Sequence, residues 1–202
     1  VLTYLKENDL EENTIVIYSS DQSYFIGEHG YAEKRWMYEE SLKMPFIIKW
    51  PGKIKASQKI MQMIQNVDYA PTLLAAAGVQ IPKEMQGKNI LPLINGKSTP
   101  TDWRKAIYYH YYHHGAHNVP RHDGVRTERY KLIHYYTDDT YELFDLKNDP
   151  KEVNSLHNNP EYSGLKNKMK AELQAQRSLY KVPADTFSAP WVYPPRSGAK
   201  AH

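Results

Sequence analysis

The 202-residue chain has no cysteine. That excludes a disulfide frame, a thiolate zinc site and a cysteine nucleophile within these residues. No apolar run approaches the roughly 18 residues that a membrane helix needs, so no membrane partner is expected. The basic residues are scattered, and the net charge is only +3 with histidine neutral. So small an excess mildly favours an anionic substrate and does not support a nucleic-acid partner. The chain also lacks an initiator methionine and the charged and apolar regions of a signal peptide. It opens on Val1, Leu2 and Leu5, which share one helical face. A chain that starts inside a helix is expected to be a fragment or a processed product. With 41% hydrophobic and 24% charged residues, the composition is that of a folded globular protein rather than a disordered one. Tyrosine dominates the aromatics, 17 against 4 Phe and 4 Trp. That excess suits edge strands or a polar, sugar-facing surface.

Periodicity divides the chain in two. Residues 1–8 have a helical pattern. Thr14–Ser19 is a continuous β-branched and apolar run, expected to be a strand of a parallel sheet covered on both faces. It ends in Ser20-Asp21-Gln22, polar residues at the strand's C-terminal end, the edge where open α/β sheets bind ligands. Residues 23–43 are loop-like, with Gly27 and Gly30. Pro45–Trp50 is a second short strand, closed by Pro51-Gly52. Residues 66–78 predict a helix with Asp68 as N-cap and Gly78 as C-terminal cap. Beyond residue 105 the pattern changes to four short strands, at 107–112, 124–127, 130–136 and 141–146, with Thr137–Thr140 as a hairpin connection. A helix follows over 161–180, with Leu165, Met169, Leu173 and Leu179 inward, and the chain is irregular after Pro183. The expected division is therefore 1–104, 105–182 and an irregular tail over 183–202.

Asp21 and Gln22 carry the first chemical signal. Adjacent strand residues point to opposite faces, so both reach one ion only where the backbone leaves the strand. Carboxylate and amide oxygens are hard donors that favour Ca²⁺, with Mg²⁺ as the alternative, over zinc. Two ligands are too few for calcium, so others must come from elsewhere. The bland alternative is that Asp21-Gln22 simply start a turn. The wider segment is Ile15-Val-Ile-Tyr-Ser-Ser-Asp-Gln-Ser-Tyr-Phe-Ile-Gly-Glu-His-Gly30, then Lys34-Arg35, then Met44-Pro-Phe-Ile-Ile-Lys-Trp-Pro-Gly52. Further on stand Val67-Asp-Tyr-Ala-Pro-Thr-Leu-Leu74 and Tyr141-Glu-Leu-Phe-Asp-Leu-Lys-Asn-Asp-Pro150. These ordered motifs resemble the C-terminal part of the formylglycine-dependent (type I) sulfatases, especially bacterial enzymes acting on carbohydrates and glycosaminoglycans.

The resemblance implies an α/β fold: the end of an alkaline-phosphatase-like sulfatase core plus a C-terminal α+β subdomain with a small antiparallel sheet. It implies hydrolysis of sulfate esters, with Asp21 and Gln22 as metal ligands and Lys34 binding a sulfate oxygen. Arg35 takes that role if the alignment slips by one. His29, between two glycines, is either part of this chemistry or a brace for its loop. The resemblance also implies that an N-terminal part of the same enzyme supplies an aspartate pair and the formylglycine. The Cys/Ser-x-Pro-x-Arg motif that yields formylglycine is not found here, since Ser98-Thr-Pro-Thr-Asp102 and Ser188-Ala-Pro-Trp-Val192 lack the arginine. The chain alone is therefore expected to be inactive. A periplasmic or secreted location is expected on the same ground.

A second constellation is His110-Tyr-Tyr-His113-His114-Gly-Ala-His117-Asn-Val-Pro-Arg121-His122. Its spacing is loop-like and no carboxylate or thiolate is interleaved, which argues against zinc. Imidazole and guanidinium groups suit an anionic ligand. By the resemblance, His117, Arg121 and His122 are candidates for recognising a sulfated carbohydrate; the alternative is an ordinary surface loop. Arg126 and Arg129 flank a strand and are expected to be structural. Two other functions compete: a phosphonate or phosphate ester hydrolase of the same superfamily, and a non-catalytic protein that binds sulfated glycans.

Overall fold

The structure is a computed structural model that describes residues 1–95, 99–113 and 119–188. It divides into two compact units. The first comprises Val1–Lys34 and Tyr38–Ile107; the second comprises Arg35–Met37 and the described residues from Tyr108 onward.

In the first unit, helix α1 (Leu2–Glu7) leads to strand β1 (Val16–Ser19). β1 pairs antiparallel with β4 (Phe46–Lys49), with Val16 opposite Lys49 and Ser19 opposite Phe46. The expectation of a parallel neighbour fails among the described residues. Parallel pairing needs a long crossover, usually a helix. Between β1 and β4 the chain makes a short hairpin, β2 (Phe25–Ile26) with β3 (Ala32–Glu33) joined through a 3-10 turn at Glu28–Gly30, and one helical turn, α2 (Glu39–Leu42). It returns beside β1 in the opposite direction. The stretch expected to be loop thus holds four small elements.

Beyond β4 lie α3 (Tyr69–Ala76) and α4 (Leu91–Ile94). Ile90, Leu93, Ile94 and Trp103 form the core of this unit, with Phe46, Ile48 and Ile64 packed against them. Asp68 precedes α3 but does not cap it through its side chain. The carboxylate is fully buried, so every lone pair needs a donor. It accepts from the Gln65 and Lys88 amides, each at 2.7 Å, and from both terminal nitrogens of Arg104, at 2.5 and 2.6 Å. Asp68 does stand at the expected N-cap position of α3, but its side chain serves as the anion of a buried ion pair. Gly78 does close the helix, in the left-handed region at φ 71°, with the Val79 amide donating to the Leu74 carbonyl.

The second unit is a four-stranded antiparallel sheet in chain order, β5 (Ala106–Tyr111), β6 (His122–Thr127), β7 (Tyr130–Tyr135) and β8 (Thr140–Asp145). Helix α5 (Ser163–Leu179) packs on β6 and β7. Met169 and Leu173, at i and i+4, are its buried residues. Leu179 does not join them; it is 66% exposed. Six residues beyond Leu173 it is rotated about a third of a turn off the buried stripe. A short helix, α6 (Asp185–Ser188), occupies part of the stretch expected to be irregular. Arg129 is structural, as its place beside β7 suggested: its guanidinium grips the Asp145 carboxylate at 3.0 and 2.7 Å. Lys131 and Glu152 form a second, fully buried pair at 2.7 Å.

Candidate functional site

β1 delivers the corner. After Ser19 the chain leaves the strand, and Asp21 and Gln22 sit in the bend that follows. Hydroxyl groups hold this bend. Ser19 donates to the Pro45 carbonyl at 2.9 Å and meets the Tyr69 hydroxyl at 2.7 Å. Ser20 donates to the Gln22 carbonyl at 2.7 Å. The Asp21 side chain is 70% exposed. Lys34, thirteen residues on, brings its ammonium directly onto the Asp21 carboxylate. That hydrogen bond, helped by the Gln22 backbone amide, holds the Asp21 carboxyl below its usual range. The pairing thus favours the ionised carboxylate.

The hairpin β2–β3 positions Lys34. Gly27, at φ 115°, makes the turn, and the Glu28 carboxylate accepts from the Ile26 amide at 2.7 Å. His29 lies inside this hairpin at φ 53°. Its ring stacks on Tyr38 at 4.4 Å and stands edge-on to Phe25 at 6.1 Å, and its Nε2 lies 3.5 Å from Glu40. These contacts make His29 a brace for the loop. Arg35 behaves differently from its neighbour: its carbonyl accepts from Tyr109 within the second unit.

One residue of the corner escaped sequence reasoning. Ser41, on α2, is fully buried. Its hydroxyl stands 2.8 Å from the Lys34 carbonyl and 3.3 Å from Gln22 Oε1, and its own carbonyl accepts from the Ser23 amide at 2.9 Å. A serine within Glu39-Glu40-Ser41-Leu42 carries no motif that would single it out.

The donor set can be tested against a metal. Asp21 and Gln22 offer hard oxygens, and calcium takes about six to eight of them. Among the described residues no group of three or more His, Cys, Asp or Glu side chains could hold a metal ion. Asp21 and Gln22 supply two such oxygens, so a calcium site built on them would need further donors from outside the described residues.

The second candidate group lies in the other unit. His117 is outside the described residues. Arg121 is 9% exposed, its guanidinium 5.5 Å from the centre of the Tyr136 ring. His122 is fully buried. Its ring lies among Tyr109 at 5.5 Å, Tyr111 at 5.6 Å, Tyr135 at 5.5 Å and Trp36 at 6.1 Å. Nδ1 faces the Pro120 carbonyl at 2.8 Å, which only accepts, so Nδ1 carries the proton. Nε2 is then a buried acceptor with no hydrogen-bond partner among the described residues. Burial pushes the His122 pKa down to about 4.

His110 belongs to a chain of hydrogen bonds. Arg177 grips Asp123 at two distances of 2.7 Å, and Tyr108 donates to the same carboxylate at 3.0 Å. The Tyr108 proton is thereby committed, so His110 Nδ1 donates to the Tyr108 oxygen at 2.9 Å. Neither Asp123 nor Arg177 stood out in the sequence, because their partnership spans 54 positions.

The profile of the family described as N-sulphoglucosamine sulphohydrolase, C-terminal, matches residues 27–179. The chain belongs to this C-terminal sulfatase family. An N-acetylglucosamine-6-O-sulfatase of Bacteroides thetaiotaomicron is 45% identical over 184 residues, which cover 90% of this chain and 33% of that protein. The chain thus spans about a third of the curated relatives it matches. A solved structure described as a complex with its substrate D-glucosamine-2-N,6-O-disulfate superposes with a TM-score of 0.87 at 45% identity, covering 92% of this chain and 38% of that one. Phosphonate monoester hydrolase of Agrobacterium radiobacter has a TM-score of 0.78 at 22% identity, over 88% of this chain and 38% of that one, and so shares the fold. The sulfatase chain is accordingly α/β, the end of an alkaline-phosphatase-like core followed by a unit with a small antiparallel sheet.

Proposed function

We propose that this chain is the C-terminal part of a longer sulfatase that hydrolyses sulfate esters on glycans, with a sulfated glucosamine as its substrate class. The observation that carries this reading is the exposed Asp21 carboxylate with the Lys34 ammonium directly upon it. Asp21 and Gln22 hold a calcium ion together with ligands from the preceding part of the enzyme, where the formylglycine nucleophile also lies. When bound, calcium supplies Lewis-acid polarisation of the sulfate ester. Lys34 Nζ donates hydrogen bonds to the sulfate oxygens and offsets the negative charge of the transferring group. Arg121, His122 and His117 take the part of glycan recognition. Without the preceding part, the 202-residue chain has no turnover. The enzyme works in the periplasm or outside the cell.

The 45%-identical N-acetylglucosamine-6-O-sulfatase and the complex with D-glucosamine-2-N,6-O-disulfate support the glycan substrate. Lys34→Ala in the whole enzyme is expected to lower kcat/KM on 6-O-sulfated glucosamine by about 10²–10³-fold, with the melting temperature little changed. Activity within about threefold of the parent would remove Lys34 from the mechanism. Faster turnover of a phosphonate monoester than of the sulfate ester would move the enzyme to the phosphonate branch of this fold.

A further inference from the structure

Ser41 has two neighbours and one proton. Its hydroxyl lies 2.8 Å from the Lys34 carbonyl, which can only accept, so the proton goes there. Its oxygen then faces Gln22 Oε1 at 3.3 Å, lone pair against lone pair. Oxygen and nitrogen of a carboxamide exchange places by a half-turn. With that half-turn Gln22 Nε2 donates to Ser41 Oγ, and Ser41 Oγ donates to the Lys34 carbonyl. Each of these two hydrogen bonds then has one donor and one acceptor, and Gln22 Oε1 is released from Ser41. The site is built for this role: Ser41 is fully buried, and α2 fixes it through the bond from the Ser23 amide, in the segment next to Gln22.

We propose that Ser41 is the positioning residue of the metal corner. It sets the Gln22 amide with its oxygen outward and ties that amide to the backbone of Lys34. One hydroxyl thereby fixes the spacing between a metal ligand and the backbone that carries the sulfate-binding ammonium. The proposal rests on the calcium reading of Asp21-Gln22. An outer-shell partner of a metal ligand typically changes metal affinity by about 10–100-fold when removed.

The test uses the whole enzyme and calcium alone as the probe. Ser41→Ala is expected to raise, by roughly tenfold, the calcium concentration that gives half-maximal thermal stabilisation. At saturating calcium its kcat/KM should remain below the parent's, because Lys34 has lost its tether. A purely structural serine would instead lower the melting temperature equally at every calcium concentration, with no shift of the midpoint; that result overturns the proposal. Should Ser41→Ala fold poorly, Ser41→Cys keeps the volume and substitutes a much weaker donor. An upward shift of its midpoint supports the proposal, and an unshifted midpoint overturns it. If the parent enzyme itself shows no calcium-dependent stabilisation, the metal reading falls, and the role of Ser41 falls with it.

Discussion

At the scale of single residues, burial and partner decide what each polar group does. Asp21 and Asp68 are both aspartates near the start of a bend or helix in the same unit. Asp21 is exposed and faces a partly exposed lysine head, whereas Asp68 is fully buried and fully hydrogen-bonded. Only the first can exchange its partner for a ligand at small cost. The corner was legible because Asp21, Gln22 and Lys34 fall in one run of ordered motifs. Ser41 and the Asp123–Arg177 pair were not, since each acquires meaning only through contacts between distant residues. His122 gives a prediction at this scale. Its native pKa is about 4 against 6.5 for an ordinary histidine, so between these values the unfolded chain binds the proton and the folded chain does not. Stability contributed by the neutral ring is therefore full above about pH 6.5 and is lost as the pH falls towards 4, by at most about 3 kcal/mol. His110, with its pKa also lowered to about 4 by burial, adds in the same sense. His122→Phe keeps an aromatic ring without a titrating nitrogen. Melting temperatures measured from pH 7 to 4 should fall less steeply for His122→Phe than for the parent; equal slopes would show that His122 titrates normally.

At the scale of elements, the second unit was the easier to foresee. All four of its strands stand near their expected places, because alternating β-rich runs separated by short turns fix both existence and order. The first unit was harder. The β1 run predicted a strand correctly but not its neighbour, since a continuous apolar run does not encode direction of pairing. The hairpin β2–β3 has two-residue strands, too short for any periodicity. Packing within the sheet makes its own demand at Gly124 of β6, opposite Ile133 of β7. A Cβ there would stand 2.3 Å from Met37 Sδ and 2.4 Å from the Leu132 carbonyl oxygen. The methionine can swing aside; the backbone oxygen cannot without moving β7. Gly124→Ala is thus expected to destabilise the protein by about 1–3 kcal/mol or more, the usual range for overpacking. Urea unfolding checks this, and a midpoint equal to the parent's would mean that β7 yields freely.

At the scale of the whole molecule, the first unit carries a two-stranded ribbon that leaves apolar side chains in the open. Tyr18 on β1 is 64% exposed, and Ile47 on β4, its partner in register, is 65% exposed. A two-stranded sheet is marginal in water, and three or more strands with a covered face are needed for independent stability. The chain spans about a third of its 45%-identical relative, so the proposed longer enzyme has ample chain to cover this ribbon. Cover would change the ribbon's opening free energy, and amide exchange reads that quantity directly. Val16–Ser19 should therefore exchange slowly in the whole enzyme and fast in the isolated 202 residues, while Leu132 and Ile133, fully buried in the second unit, should be protected in both. Equal protection of Val16–Ser19 in the two forms would show that the ribbon is stable by itself. The corner at its end would then be assembled before the rest of the enzyme arrives. Fast exchange in the isolated chain alone would instead tie the geometry of Asp21 and Gln22 to the same association that brings the nucleophile.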